Sequence, residues 1–166
     1  MGDRLSAALW RALPSPSHAV FGALLWGALM GANAFLFLWL ADWRPVSQLA
    51  GLAGIFALGG AIGFPAGHTA CRLLSRHERT ETRFAAAFLA FATATLGATA
   101  MVYALQYRAY YAQWHGPLFS LRWILEFVFT TAGALYQFAV LGLRIYFPWG
   151  FAALFALSLY YAAKPR

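Results

Sequence analysis

The sequence predicts an all-α, polytopic transmembrane helical bundle. Three observations carry that expectation. The 166 residues are 62% hydrophobic and only 10% charged, whereas a soluble domain carries about 25% charged residues. So few charges cannot cover a water-facing surface, which leaves lipid as the expected solvent. The apolar residues also fall in runs long enough to cross a bilayer, which takes about 20 residues of helix. Finally, the 12 Lys and Arg outnumber the 5 Asp and Glu and cluster between those runs. That is the pattern of cytoplasmic loops and of contact with anionic headgroups. In a soluble protein a net charge of +7 would suggest nucleic acid; set between membrane runs, it does not.

The whole chain, 1–166, reads as one transmembrane domain. Residues 1–16 form the first element. Leu5, Leu9, Ala12 and Leu13 recur at helical spacing, with Arg4 and Arg11 elsewhere on the surface. This predicts a short amphipathic helix lying in the interface, ended by Pro14 and Pro16. The stretch is too interrupted for a cleaved signal segment.

The first span is expected at about 18–41, since no Asp, Glu, Lys or Arg lies between Arg11 and Asp42. Trp39 and Trp43 at its end suit an interfacial aromatic belt. The second span, about 49–74, contains Pro65, which predicts a kink. The third, about 83–107, is rich in Ala, Phe and Thr. The Tyr- and Trp-dense loop after it suits the headgroup layer.

The C-terminal block carries only Arg122, Glu126 and Arg144 between Ser120 and Ala163. As one helix it would be roughly 66 Å long at about 1.5 Å per residue, against a hydrocarbon core of about 30 Å. It must therefore break, and the break is expected at Tyr146–Gly150, around Pro148. This gives spans at about 120–143 and 147–163, five in all. Four spans plus a C-terminal re-entrant hairpin is the alternative, since it keeps Lys164 and Arg166 with the other basic residues. The charge rule places the N-terminus in the cytoplasm. The Ala-, Gly-, Leu- and Arg-rich composition suggests a bacterial inner membrane.

Two stripes of small residues stand out. Gly59, Gly63 and Gly67 recur every four residues in the second span, and Ala23, Gly27 and Gly31 in the first. Such stripes let helix backbones approach closely in lipid. They predict either packing between spans one and two or an interface with a second copy or partner subunit.

Glu126 is the one acid inside an expected span, and intramembrane acids are costly enough to suggest a role. Arg122, one turn earlier, offers a local ion pair reaching the headgroups. The functional alternative is a proton, cation or polar-substrate site with Gln106, Arg108 or Gln137 nearby. His18 and His68 both fall toward the cytoplasmic side, a pairing geometrically able to hold a transmembrane haem, although both sit at span ends, where an interfacial histidine needs no cofactor. His68, Cys71, His77 and Glu78 have the residue types of a metal site, but their spacing matches no standard zinc pattern. Arg72, Arg76, Arg79 and Arg83 form a basic loop, either a topology signal or a contact for anionic lipid.

No catalytic triad, zinc-protease or phosphate-cradling motif occurs. No cofactor or metal is expected. The function expected first is therefore non-enzymatic: an accessory or assembly subunit, or a small homo-oligomeric membrane protein. A small transporter or channel using Glu126 comes second, and a membrane electron carrier or lipid-modifying enzyme third.

Overall fold

The computed structural model describes Ser6 and residues 9–42, 45–75 and 79–163. Among these residues the chain is helical apart from short connections, with no strand. Four helices are long and apolar enough to cross a membrane. This makes the protein a helical membrane protein. Trp43, Arg44, Arg76, His77, Glu78 and most of the first eight residues lie outside the described set, as do Lys164 and Arg166. Of the expected interfacial helix, residues 9–12 are helical and Ala12 is buried.

Helix α1 spans Pro16–Leu40. Pro16 stands in its first turn, where a missing N–H costs nothing. Ser15 caps it by accepting a hydrogen bond from the His18 backbone N–H. Helix α2 spans Val46–Leu74 and runs unbroken through Pro65. Helix α3 spans Thr80–Tyr111 and ends in a short 3-10 turn, Ala112–Trp114. These three pack side by side, with α2 in the middle.

Glycine decides how closely they pack. A Cβ built on Gly63 would stand 2.7 Å from the Thr95 Cα, and one on Gly59 would stand 2.6 Å from the Thr99 Cα. Gly67 lies as tightly against Phe91. The other side of α2 presents alanines to α1, where a Cβ on Gly27 would stand 2.7 Å from the Ala57 carbonyl oxygen and one on Gly31 would stand 2.8 Å from the Ala57 Cβ. Both stripes are thus occupied by neighbouring helices of the same chain.

Helix α4 spans Leu121–Gln137, then continues through a π-helical turn, Phe138–Gly142, and a last turn, Leu143–Ile145. Helix α5 spans Trp149–Ala163. The expected break at Tyr146–Gly150 is where α4 gives way to α5, at the cis peptide Phe147–Pro148.

Of the last two helices, Leu121–Ile145 is long and apolar enough to cross, and Trp149–Ala163 is shorter, at 15 residues. The Arg108 guanidinium lies over the Phe127 ring, and the Tyr146 hydroxyl meets Thr99. Between those contacts α4 advances 19 residues while α3 advances 9, so α4 crosses α3 obliquely and uses up its length sideways. Helix α5 then continues in the same sense along α3. Phe151 packs on Phe88, Phe155 on Phe84, and Tyr161 reaches His18 at the start of α1. Together α4 and α5 carry the chain once from the far end of the bundle to the near end.

Candidate functional site

The near end gathers the densest set of polar side chains. His18 comes from the first turn of α1, His68 from the last third of α2 and Tyr161 from the last turns of α5. The Tyr161 hydroxyl lies 2.8 Å from His68 Nδ1 and 3.5 Å from His18 Nε2. Arg83, in the first turn of α3, donates to the Tyr161 carbonyl oxygen at 3.2 Å. The two imidazoles meet edge to face with centroids 5.0 Å apart, and Phe64 and Phe91 close over the group. Four helices thus share one hydrogen-bonded knot at the near end of the bundle.

A haem held by His18 and His68 would need the two rings on opposite faces of the macrocycle. Here they touch each other and share a tyrosine, so the arrangement does not fit that group. Cys71 is buried one turn below His68, with its sulfur 3.5 Å from the Ser75 hydroxyl. Among the described residues no three His, Cys, Asp or Glu side chains are placed to hold a metal ion. His77 and Glu78 lie outside the described residues.

At the far end, Glu126 is bound on both sides. One oxygen accepts from Arg122 Nε at 2.8 Å, and the other accepts from the Gly116 backbone N–H at 2.8 Å. The acid therefore ties the 112–120 connection to the second turn of α4. Gln137 stands apart from it, accepting from the Tyr103 hydroxyl at 3.0 Å. Gln106 lines a separate groove of ≈570 Å³ between the start of α2 and the end of α3, among Tyr103, Tyr107 and Tyr110. The residues grouped by sequence around Glu126 are thus spread over three places, and Arg108 alone faces α4, through Phe127.

Between the ends, the buried polar groups bond to one another. Trp26 Nε1 donates to Thr95 Oγ1 at 2.9 Å, the Tyr146 hydroxyl to Thr99 Oγ1 at 2.7 Å, and Thr99 Oγ1 to the Thr95 carbonyl at 2.8 Å. Asn33 spans the α4–α5 turn. Its Nδ2 donates to the Ile145 carbonyl at 2.7 Å, and its Oδ1 accepts from the Gly150 N–H at 3.0 Å. Sequence reasoning missed Asn33, Thr99, Tyr146 and Tyr161. Asn33 had a visible signal, as a carboxamide inside a run without charges. The tyrosines had none, since Tyr near a span end is ordinarily interfacial.

The remaining feature is the face of α4. Its most apolar stretch is 11% buried, against 33–44% for α1, α2 and α3. Val128, Phe129, Leu135 and Tyr136 all point away from the rest of the chain.

No protein-family model matches this chain, nor does any curated protein or solved structure.

Proposed function

We propose that the protein is a non-enzymatic membrane subunit that assembles through the outer face of α4, with a second copy of itself or with another membrane subunit. The observation that supports this most is the contrast in burial. Helix α4 is as apolar as its neighbours yet packs on its own chain along one narrow strip. Tyr136, 70% exposed, puts a hydrogen-bonding hydroxyl on that face, and polar groups in lipid find partners across helix interfaces. The buried polar side chains at mid-depth bond to one another, which favours a structural role for them over a water-filled path.

In this reading the chain crosses four times, the fourth crossing being α4 and α5 together. The near end faces the cytoplasm, because Arg72, Arg79 and Arg83 lie there. The membrane is a bacterial inner membrane, residues 9–16 lie in its interface, and Arg72, Arg79 and Arg83 meet anionic headgroups.

Cysteine cross-linking tests the assembly. In a Cys71→Ala background, Val128→Cys and Tyr136→Cys on α4 are compared with Leu24→Cys on the exposed side of α1, all in native membranes. Adducts from α4 alone, at twice the chain mass for a second copy or at another discrete mass for a partner, support the reading. A monomer in mild detergent with no α4 adduct overturns it.

A further inference from the structure

A groove of ≈390 Å³ runs between α1 and α5 at the near end. It is lined by small residues, Gly22, Ala153 and Ala156, and by apolar ones such as Leu25, Leu157 and the buried Trp26 and Phe64. From His18 to Leu29 it follows α1 for about 16 Å at about 1.5 Å per residue, close to the depth of one leaflet of a core about 30 Å thick. The groove is therefore as long as one acyl chain has room to lie.

Its polarity is lopsided. The deep end is apolar. The shallow end opens on His18, Tyr160 and Tyr161, and Tyr161 is the residue to which His68 and Arg83 are hydrogen-bonded. Arg72 lies in the last turn of α2, and Arg79 directly precedes α3, at the same end. No arginine lines the groove itself, but Arg83 reaches the Tyr161 carbonyl beside its shallow end, and basic side chains next to an apolar slot have the chemistry that holds an anionic lipid headgroup. A neutral-headed isoprenoid would use the histidines and tyrosines but gain nothing from the arginines.

We infer that this groove is a binding site for one anionic glycerophospholipid, with an acyl chain between α1 and α5 and its phosphate at His18, Tyr161 and Arg83. The inference rests on the membrane assignment alone and is independent of assembly through α4.

The test uses the full chain purified in mild detergent. It is incubated with equal amounts of phosphatidylglycerol, phosphatidylcholine of the same chains, and an isoprenoid quinone, then weighed by native mass spectrometry. One phosphatidylglycerol should be retained, with a preference of about tenfold or more over phosphatidylcholine. Ala156→Trp, which puts bulk on an exposed lining position, should abolish retention. Leu25→Trp, which replaces an exposed side chain on the wall and so spares the fold, should weaken it. His18→Gln combined with Arg83→Gln should remove the preference for the anionic lipid while leaving the slot. Equal retention of the two phospholipids, retention of the quinone instead, or phosphatidylglycerol binding untouched by Leu25→Trp would each overturn the inference.

Discussion

Helices α2 and α4 are nearly indistinguishable by hydropathy, at 1.7 and 1.6 over their most apolar stretches, yet 44% of one stretch is buried and 11% of the other. Hydropathy answers only whether a segment prefers lipid to water. It does not say whether the segment prefers protein to lipid, because lipid tails are as apolar as leucine. What separates the two helices is the size of their side chains. Helix α2 carries Gly59, Gly63 and Gly67 on one side and Ala53, Ala57 and Ala61 on the other, so two neighbours approach its backbone at once. Helix α4 carries Trp123, Ile124, Phe127, Val128 and Phe129 in its first half, which hold other backbones away.

The sharpest way to break that contrast is to put the same bulk on both helices. A Cβ at Gly63 already meets the Thr95 backbone, whereas one at Gly133 of α4 meets nothing within 4 Å. Gly63→Leu should destabilise the bundle by about 1–3 kcal/mol or prevent folding, as overpacking does. Gly133→Leu should change stability by about 0.5 kcal/mol or less. Thermal unfolding in detergent distinguishes them. Size-exclusion chromatography adds a second reading: Gly63→Leu should lower stability without changing oligomer size, because its stripe is filled from within. A dissociated oligomer would show instead that α2 faces another chain.

The turn between α4 and α5 gives the next largest effect. It is non-helical backbone partway along the bundle, buried at Tyr146 and Gly150 and exposed at Phe147 and Trp149, and such backbone is tolerated at membrane depth only where protein satisfies its polar groups. Asn33 supplies that at both ends. Asn33→Leu keeps roughly the same bulk but leaves the Ile145 carbonyl and the Gly150 N–H unmet, each costing about 1–3 kcal/mol. The loss should be local first, seen as faster hydrogen exchange at Gly150 and protease cleavage near Pro148 while α1, α2 and α3 stay protected. Uniform protection would remove Asn33 from its role.

This turn also marks how far the sequence was legible. Pro148 announced a break, and the charge-free runs announced α1, α2 and α3. The direction taken after the break depended on Asn33, whose partners lie 112 and 117 residues away, and on the tilt of α4 across α3, where Tyr146 meets Thr99 from 47 residues away; no local pattern encodes either. Of the candidate sites, His18 and His68 were rightly paired by depth, but the ligand they share is Tyr161, whose side chain has no local pattern to betray it. Glu126 and Arg122 were legible because a helix brings residues four apart together. Gln106 and Gln137 were grouped with them by polarity alone, and the fold separates them.

A smaller effect tests the join between α4 and α3. Tyr146→Phe removes the hydroxyl from Thr99 but leaves the Thr99 bond to the Thr95 carbonyl intact. Hydrogen bonds between transmembrane helices average about 0.6 kcal/mol and reach about 1.7, so the double-mutant cycle with Thr99→Val should return a coupling in that range. A coupling of zero would make Tyr146 a packing residue only.

The smallest effect on stability belongs to Glu126, although it is the residue whose sequence context drew most notice. Its two oxygens serve a neighbour one turn away and the amide of a connecting loop, and neither partner belongs to α1, α2 or α5. Glu126→Gln keeps the size and one carbonyl acceptor while removing the charge that strengthens both hydrogen bonds. The unfolding temperature should therefore hardly move. The Gly116 amide, left with a neutral acceptor or none, should exchange several-fold faster. Reconstituted vesicles should show the same proton permeability before and after the change. A loss of proton flux in the variant would place Glu126 on a path through the bilayer, and α4 would then face water where its apolar surface now points to lipid or to a partner.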